Sequence, residues 1–309
     1  KLEIKTFNFD DIIACSLASN FKADTNLLKS ESGQIVIVGE STLTKILILQ
    51  ICRSYLKPID ACITVTLISC EAEQIVSDFN NNYPETKHLI NLKGVSSTDH
   101  SRTLKPILDS IDSLDSSMFF ICNNLDTSAF FDLLDLKDNY GVQMASCALQ
   151  QSDGIAIRQT FSNESELLAD GFQLFGLIDE HCSLESIKGE TLDKLAQIIH
   201  NRYLLNQLES GAEIGSKPAL YAWSNLSEQY KEANRRQADH IYIKLRFIGI
   251  ELGEQTTTTV QALKFTDVEI DILARIEHRR WGAERYLDGW KFSPVRDDVK
   301  KLHPDLVAW

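Results

Sequence analysis

The first half of the chain alternates short apolar runs with segments in which apolar residues recur at helical spacing. The apolar runs predict strands at Gln34–Gly39, Cys62–Ile68, His88–Leu92, Met118–Cys122 and Val142–Ala148, with Ile155–Ile157 as one more. The periodic segments predict helices at Leu43–Tyr55, Glu71–Phe79, Leu104–Ile111 and Ser128–Leu136. Strands and helices that alternate at this spacing predict a parallel sheet with helices on both faces.

The second half is expected to be helical, because strand-like runs stop near Glu164. The pattern predicts helices at Glu164–Phe175, Thr191–Leu208, Leu226–Leu245 and Asp267–Leu287. We therefore predict an α/β Rossmann-like parallel-sheet domain followed by an all-α domain. The predicted boundaries are a connector at 1–33 with a helix over Asp10–Ala18, the sheet domain at 34–160, a helical bridge at 161–190 and a repeat domain at 191–309.

A short pattern occurs twice in the second half. Ile199–Tyr203 reappears as Glu277–Trp281, with a His and an aromatic residue three positions later, and Pro218–Trp223 reappears as Pro304–Trp309. The His-to-His offset is 78 residues and the Trp-to-Trp offset is 86, so the second copy holds about eight extra residues. Such a repeat predicts stacked or pseudo-symmetric helical units. If the copies face each other, their aromatic and Arg side chains would wall a cleft for a flat anionic ligand such as a nucleotide.

Charge is distributed unevenly along the 309 residues. Residues 1–189 hold 14 basic and 26 acidic residues, whereas residues 190–309 hold 17 and 18. An acidic first half and a balanced second half argue against a nucleic-acid polymer as a partner. A local basic pocket in the second half stays compatible with this distribution.

The seven cysteines are scattered and form no C-x-x-C pair, which favours buried free thiols in a reducing cytoplasm and no metal site. No signal peptide and no apolar run near 18 residues is present. Because the sequence begins at Lys1 and stops on Trp309, we expect a piece of a longer protein, whose flanks leave room for a membrane segment.

The first strand-to-helix turn is the expected position of a dinucleotide pyrophosphate. It reads Gly39-Glu40-Ser41-Thr42-Leu43-Thr44, which keeps only the first glycine of G-x-G-x-x-G. Glu40 would repel a pyrophosphate, and Glu71 after the second strand is placed to receive a ribose hydroxyl. Two interpretations stay open: a weak NAD site through Gly39, Ser41 and Glu71, and a degenerate scaffold, which the missing glycines favour.

The sheet half resembles the TrkA-N, or RCK-type, Rossmann domain that regulates potassium channels and transporters. The resemblance rests on Ile35–Gly39, on the helix that follows, and on an opening segment, Lys5–Ala14, that is similar to the family's connector. It implies that the domain forms a homodimer or higher homo-oligomer and transmits ligand state to a pore.

The repeat half is similar to the ryanodine-receptor repeat (RyR) domain, whose pattern is His-x-x-Trp, Gly-Trp, Pro-x-Arg-Asp-Asp and His-Pro-x-Leu-Val. The matching segments are Glu277–Arg285, Gly289–Asp298 and Lys301–Trp309. The first copy, Ile199–Ala238, is a divergent unit with Tyr203 in place of Trp and no Gly-Trp or Arg-Asp-Asp segment. Its helix with Asn234–Asp239 would follow Trp309 in the second copy, so the second repeat is expected to be cut short.

The candidate ligand-binding residues come from both copies. His278, Trp281 and Arg285 share one helix stripe, where Trp281 can stack a base and Arg285 can hold a phosphate. The resemblance implies that an adenine nucleotide contacts these same two residues. The full set is His278, Trp281, Arg285, Trp290, Arg296, Tyr203 and Trp223.

Structural alternatives stand beside each of these assignments. Trp281 and Tyr203 are equally compatible with a place in the core, and Trp290, which follows the helix-capping Gly289, is compatible with a packing anchor. Arg296 is as compatible with a salt bridge to Asp297 or Asp298 as with a ligand. The remaining alternatives are His278 and His200 as hydrogen-bonded helix residues, and Arg235 and Arg236 as solvent-facing side chains.

The sequence carries no hydrolase, kinase or deaminase signature, so we expect no catalytic residues and no enzyme. The first hypothesis is a regulatory module that binds a nucleotide or nucleotide-derived second messenger. By resemblance it gates an attached effector, an ion channel or pore, in a nucleotide-triggered antiviral system. The alternative is a protein-interaction or dimerisation module without a ligand, whose repeat aromatics would be fully buried. A third, weaker hypothesis is a NAD-dependent redox sensor.

Overall fold

The computed structural model describes residues 13–14, 33–54, 62–96, 108, 111, 114, 117–142, 144–149, 154–157, 171–175, 190–250 and 263–307. Contacts between residues divide the chain into two compact units. The sheet unit comprises Lys1–His181 together with Gln261–Trp309, and the helical unit comprises Cys182–Val260. The prediction grouped 191–309 as one domain, whereas the contacts place the second copy of the repeat in the sheet unit and the first copy in the helical unit.

The sheet unit is built on six parallel strands in the order β3-β2-β1-β4-β5-β6. They are β1 (Gln34–Val38), β2 (Ile63–Ser69), β3 (Ile90–Ser96), β4 (Ser117–Ile121), β5 (Ala145–Ala148) and β6 (Phe172–Phe175). The direction of strand addition reverses between β1 and β4, as in doubly wound folds. The predicted α/β Rossmann-like class is therefore confirmed for this unit.

The longer helices among the described residues number six, besides the short helical pieces at 13–14, 108 and 154–157. They are α1 (Thr42–Ser54), α2 (Ala72–Asn82), α3 (Asp126–Tyr140), α4 (Glu190–Glu209), α5 (Glu228–Phe247) and α6 (Asp267–Leu287). A 3₁₀ turn, Pro84–His88, leads into β3, which begins two residues later than predicted and extends further. Most of the predicted helix at Leu104–Ile111, of the connector at 1–33 and of the bridge at 161–190 lies outside the described residues, and Leu108 within that helix is helical.

The strands β1, β2 and β4 are buried along almost their whole length because both faces of the sheet are covered there, whereas β3, with Asn91 and Lys93, is partly exposed. Val36 and Phe119 pack in one cluster with Leu133 of α3. Side chains alternate along a strand, so Ile37 and Phe120 face the opposite side, and both are fully buried. Continuous burial explains why these strands could be recognised without a polar–apolar alternation.

Two local predictions are wrong. Phe172–Phe175 was predicted to end a helix but forms β6, because it pairs in parallel with β5 and the preceding Gly171, at φ 79°, turns the chain into the sheet. Ile155–Ile157 was predicted as a strand, but residues 154–157 are helical. Ile155 is exposed there, and the Gly154 N–H donates to the Asp126 carboxylate (2.9 Å) instead of to a neighbouring strand.

In the helical unit, α4 and α5 pack side by side. Two 3₁₀ turns, Pro218–Leu220 and Trp223–Asn225, lie between them in the chain. Ala196 and Ala238 are fully buried and allow the close approach of the two helices. Arg235 of α5 donates to Asp193 at the start of α4 (2.5 Å) and also pairs with Glu228. The interpretation of Arg235 as a solvent-facing side chain is therefore wrong.

The second copy of the repeat is not purely helical. After α6 the chain forms two short strands, β7 (Lys291–Phe292) and β8 (Leu302–His303), which pair with each other. The all-α character expected for this part of the chain is therefore not confirmed.

Candidate functional site

The candidate site is built on the C-terminal half of α6. The helix begins with a capping box, in which the Thr266 hydroxyl accepts from the Glu269 N–H (3.3 Å) and the Glu269 carboxylate accepts from the Thr266 N–H (2.7 Å). The backbone bond from Thr266 lowers the pKa of Glu269. This fixed start sets the rotation of α6 and so the direction of the stripe that carries Trp281 and Arg285.

The end of α6 positions Trp290 beside that stripe. Gly289 takes a left-handed conformation (φ 80°), its N–H donates to the Tyr286 carbonyl (2.9 Å), and the Trp290 N–H donates to the Arg285 carbonyl (2.8 Å). These two bonds form a Schellman motif. The motif folds the chain back over the last turn of α6, so Trp290 lies next to Arg285 although it is outside the helix.

Arg285 lies between the two tryptophans. Its guanidinium carbon is 5.7 Å from the Trp281 ring centroid and 5.0 Å from the Trp290 ring centroid. All three side chains are half-buried, so neither indole is sealed in the interior. The predicted residues Trp281, Arg285 and Trp290 are thus brought together on one partly exposed surface.

The guanidinium of Arg285 makes no hydrogen bond or ion pair with any residue that the structure describes. Four other buried or half-buried arginines have carboxylate partners: Arg53, Arg235, Arg236 and Arg280 pair with Glu284, Asp193, Glu232 and Glu277, in that order. A planar cation with five N–H donors is therefore held by aromatic faces alone, and its donors remain available to an acceptor from outside the chain.

Strand β8, which follows the loop after β7, adds His303 to the site. Its ring lies edge-on to Trp281 (centroids 4.9 Å apart) and to Trp290 (6.0 Å). The Asp305 N–H donates to His303 Nδ1 (3.1 Å), which leaves the proton of the neutral ring on Nε2. Burial, and next to it the positive charge of Arg296, lower the pKa of His303 below its ordinary value.

Arg296 lies in the same loop and is held by Asp298. Its Nε donates to one carboxylate oxygen (2.7 Å) and its terminal nitrogen to the other (3.3 Å). The hydrogen bond from Arg296 lowers the pKa of Asp298, with smaller contributions from His303 and Arg285. The salt-bridge alternative for Arg296 is confirmed. Asp297 instead accepts from the Val299 N–H (3.1 Å) and so shapes the loop.

His278 and His200 have the same structural role in the two copies. His278 Nε2 donates to the Val307 carbonyl (2.9 Å), and His200 Nε2 donates to the Tyr221 carbonyl (2.8 Å). Each accepting residue precedes a repeat tryptophan by two positions. The interpretation of both as hydrogen-bonded helix residues is therefore confirmed, although the His278 ring also contacts Trp281 (5.9 Å).

The remaining two candidates, Tyr203 and Trp223, lie in the helical unit. Trp223 is half-buried, packs against the His200 ring (5.9 Å) and has Lys231 over its face (5.9 Å). Tyr203 is exposed. The predicted cleft between the two copies spans the two units and stays a prediction.

The first copy has the same backbone frame as the second but different side chains. Gly211 is left-handed (φ 87°), and the Ala212 N–H donates to the Gln207 carbonyl (3.0 Å), as Trp290 does to Arg285 in the second copy. At the offset of 78 residues, Tyr203, Gln207 and Ala212 stand where the second copy has Trp281, Arg285 and Trp290. The extra residues of the second copy fall in the loop that supplies Arg296, Asp298 and His303.

The turn after β1 is closed by its own hydrogen bonds. Gly39 is left-handed (φ 116°), and a Cβ there would lie 2.5 Å from the Cys122 carbonyl oxygen. The Ser41 N–H donates to the same carbonyl (3.2 Å), and the Thr44 hydroxyl donates to the Gly39 carbonyl (3.3 Å). The turn is therefore hydrogen-bonded to the end of β4. A pyrophosphate bound there would need the Ser41 N–H as a donor, and the Cys122 carbonyl already accepts from it.

Acidic groups surround that turn. Glu40 is exposed and accepts from the Cys70 thiol (3.2 Å), a bond that raises the pKa of Cys70. Glu71 is also exposed, and its N–H donates to the Ser69 hydroxyl (3.2 Å). Two carboxylates at this edge disfavour a pyrophosphate, so the geometry favours the degenerate-scaffold interpretation over an NAD site.

Free thiols are only partly buried. Cys52, Cys122 and Cys147 are buried, whereas Cys62 and Cys70 are exposed, so the expectation of buried cysteines is wrong for these two.

Within the described ranges, His, Cys, Asp and Glu form no group of three or more that could hold a metal ion. None of the described helices combines the length and apolar character that a membrane crossing requires.

Comparisons with known proteins yield no relative. No protein-family model matches the chain, and neither the curated proteins nor the solved structures give a significant match. The TrkA-N and RyR resemblances therefore rest on the residues quoted above.

One residue of the site, His303, was missed from the sequence. It belongs to a quoted segment but becomes significant only when β8 pairs with β7 and brings its ring against Trp281 and Trp290. Gly211 had a clear signal, because it precedes Gly289 by the same 78 residues that separate the two histidines.

Proposed function

We propose that the surface formed by Trp281, Arg285, Trp290 and His303 binds an anionic, nucleotide-type ligand, and that the protein is a regulatory ligand sensor rather than an enzyme. One observation carries the proposal: Arg285 is half-buried between two indoles and has no carboxylate partner among the described residues. The other elements of the site add shape and stacking surface to this cation.

The physical argument starts from the guanidinium. A cation over an aromatic face gains about 0.5–1 kcal/mol at an exposed site, which fixes the plane of Arg285 without using its N–H donors. A phosphate accepts two such donors at once, and hydrogen bonds between charged groups are the strong ones in proteins. A base stacked on an exposed indole adds about 1–3 kcal/mol. A nucleotide offers both groups on one molecule.

The first copy supports a functional reason for these side chains. It keeps the His-to-carbonyl bond and the glycine cap with Gln207 and Ala212 in place of Arg285 and Trp290. The backbone frame therefore does not require an arginine between two tryptophans. The alternative of a ligand-free interaction module called for fully buried aromatics, whereas Trp281 and Trp290 are half-buried.

The wider proposal follows the resemblance. A homodimer or higher homo-oligomer of the sheet unit would pass the bound state of the site to an attached ion channel or pore, in a nucleotide-triggered antiviral system. The sheet unit suits this role because α6 packs directly on α1 and on the turn Pro84–His88.

The first experiment is a thermal-shift panel of AMP, ADP, ATP, cyclic mono- and dinucleotides and NADH, followed by calorimetric titration. A ligand present at 100 times its Kd stabilises the protein by about 2.7 kcal/mol, which the shift resolves. We expect Trp281→Ala and Arg285→Gln to remove the response, and Trp223→Ala in the first copy to retain it. No stabilisation by any nucleotide, or equal loss in all three variants, would refute the proposal.

A further inference from the structure

The forked donor pair of Arg296 is occupied by a carboxylate from its own loop. Asp298 accepts from both Nε and the terminal nitrogen, at 2.7 and 3.3 Å. This is the geometry in which an arginine binds one face of a phosphate. Asp298 therefore occupies the position that an external anion would take on Arg296.

The same carboxylate lies in the field of the whole site. Arg296, His303 and Arg285 all act to lower the pKa of Asp298. An anion at this position is therefore stabilised by more than its direct partner. Arg285, in contrast, has no anion at its donors among the described residues. The site therefore contains two guanidinium groups, and only that of Arg296 is paired with a carboxylate.

The geometry points to a ligand with two or more phosphate groups, one held by Arg285 and the next by Arg296 after it displaces Asp298. This inference rests on the proposed function and defines its ligand class. A nucleoside monophosphate would engage Arg285 alone and leave the Arg296–Asp298 pair intact. Asp298 is then an internal competitor that sets the preference for polyphosphates.

Displacement is feasible because the pair is exposed. The side chains of Arg296 and Asp298 are 60% and 63% accessible to solvent, and exposed ion pairs are weak. A released Asp298 regains water, whereas Arg296 exchanges one carboxylate for a phosphate of higher charge. Removing the competitor should therefore strengthen polyphosphate binding by a modest factor.

The test measures the Kd of AMP, ADP and ATP by calorimetry on the unmodified protein and on three variants. Asp298→Asn removes the competitor, Arg296→Gln removes the second phosphate partner, and Asp305→Asn is the matched control. Asp305 is 73% exposed and lies beside His303 (3.8 Å), so its substitution removes the same charge without touching the Arg296 fork.

We expect ADP and ATP to bind more tightly than AMP. Asp298→Asn should tighten ADP and ATP about two- to fivefold, the range of an exposed ion pair, and change AMP less than twofold. Arg296→Gln should weaken ADP about tenfold and weaken AMP much less, because AMP loses only the longer-range attraction of this cation. Asp305→Asn should shift all three nucleotides equally.

Distinct outcomes separate this inference from the proposed function. AMP binding that depends on Arg285, together with a ratio of ADP to AMP affinity that is unchanged in the Arg296 and Asp298 variants, would refute the polyphosphate inference. The proposed function would then stand. Equal effects of Asp298→Asn and Asp305→Asn also overturn it, because net charge alone would then explain the change. Absence of binding by all three nucleotides overturns both.

Discussion

Replacing Arg285 by glutamine, the residue at its equivalent in the first copy, tests whether this arginine serves a ligand or the fold. The structure shows what the native state would lose: two cation–π contacts, at 5.7 and 5.0 Å, and no ion pair with a described residue. At about 0.5–1 kcal/mol for each half-exposed contact, we expect Arg285→Gln to lower the free energy of unfolding by about 1–2 kcal/mol.

Arg280→Gln on the same helix is the matched control. The Arg280 side chain is 8% exposed and donates three hydrogen bonds of 2.8–3.0 Å to Glu277, whose side chain is 30% exposed. Its removal leaves a half-buried carboxylate without this partner. We expect a loss of about 2–3 kcal/mol, below the range for a fully buried pair because water reaches Glu277.

Ligand affinity should follow the opposite order. Hydrogen bonds from a charged donor contribute about 1.5–3 kcal/mol, so Arg285→Gln should weaken ADP binding by about 10- to 150-fold, and Arg280→Gln by less than about twofold. Urea denaturation followed by circular dichroism gives the stabilities, and calorimetric titration gives the affinities. If Arg285→Gln destabilised the protein as much as Arg280→Gln and left ADP affinity unchanged, Arg285 would be a structural residue.

Two further predictions concern the frame and the charge of the site. Gly211→Ala and Gly289→Ala should each lower the unfolding free energy by about 1 kcal/mol, since both glycines have positive φ (87° and 80°) and open space at the Cβ position; a loss above about 2 kcal/mol in urea denaturation for either would contradict this account. The pKa of His303 should lie below its ordinary value of about 6.5 and rise in Arg296→Gln, because that variant removes a cation and frees the charge of Asp298; NMR titration of the imidazole measures both. As the pH falls, the unfolded chain protonates its histidine before the folded protein protonates His303. The contribution of His303 to stability is therefore present above about pH 6.5 and is lost as the pH falls through the folded pKa. A rise in stability on acidification that depends on His303 would refute the lowered pKa.

The strands were predictable where burial on both faces left an uninterrupted apolar signal. β1, β2 and β4 match their apolar runs to within one residue at each end. β6 was missed because four residues, Phe172–Phe175, carry too little local pattern, and only pairing with β5 makes them a strand. Local sequence was sufficient for α6, whose predicted bounds, Asp267–Leu287, agree with the structure.

The candidate site divides in the same way between local and long-range causes. The Trp281–Arg285 contact follows from their separation of four residues on one helix. The Trp290 contact depends on the left-handed Gly289, for which the Gly-Trp pair gave a signal. His303 reaches the indoles only because β7 and β8 pair, and no periodicity in the sequence predicts that contact.

The grouping of α6 with the sheet changes what the candidate site is connected to. The residues on either side of Arg285 point to the sheet unit: Glu284 lies 3.8 Å from Arg53 of α1, and the Tyr286 ring stacks on His88 at 4.9 Å. Lys291, the residue after Trp290, pairs with Glu85 at 3.3 Å. Arg285 and Trp290 are therefore each covalently next to a side chain that contacts the sheet domain. A rotation of the last turn of α6 that widens the clamp of Trp281 and Trp290 around Arg285 must also strain or break these contacts, because packed side chains cannot move independently of the helix that carries them. A change at the candidate site can therefore reach the sheet domain through the last turn of α6 and the residue after Trp290. This route does not involve the first copy of the repeat.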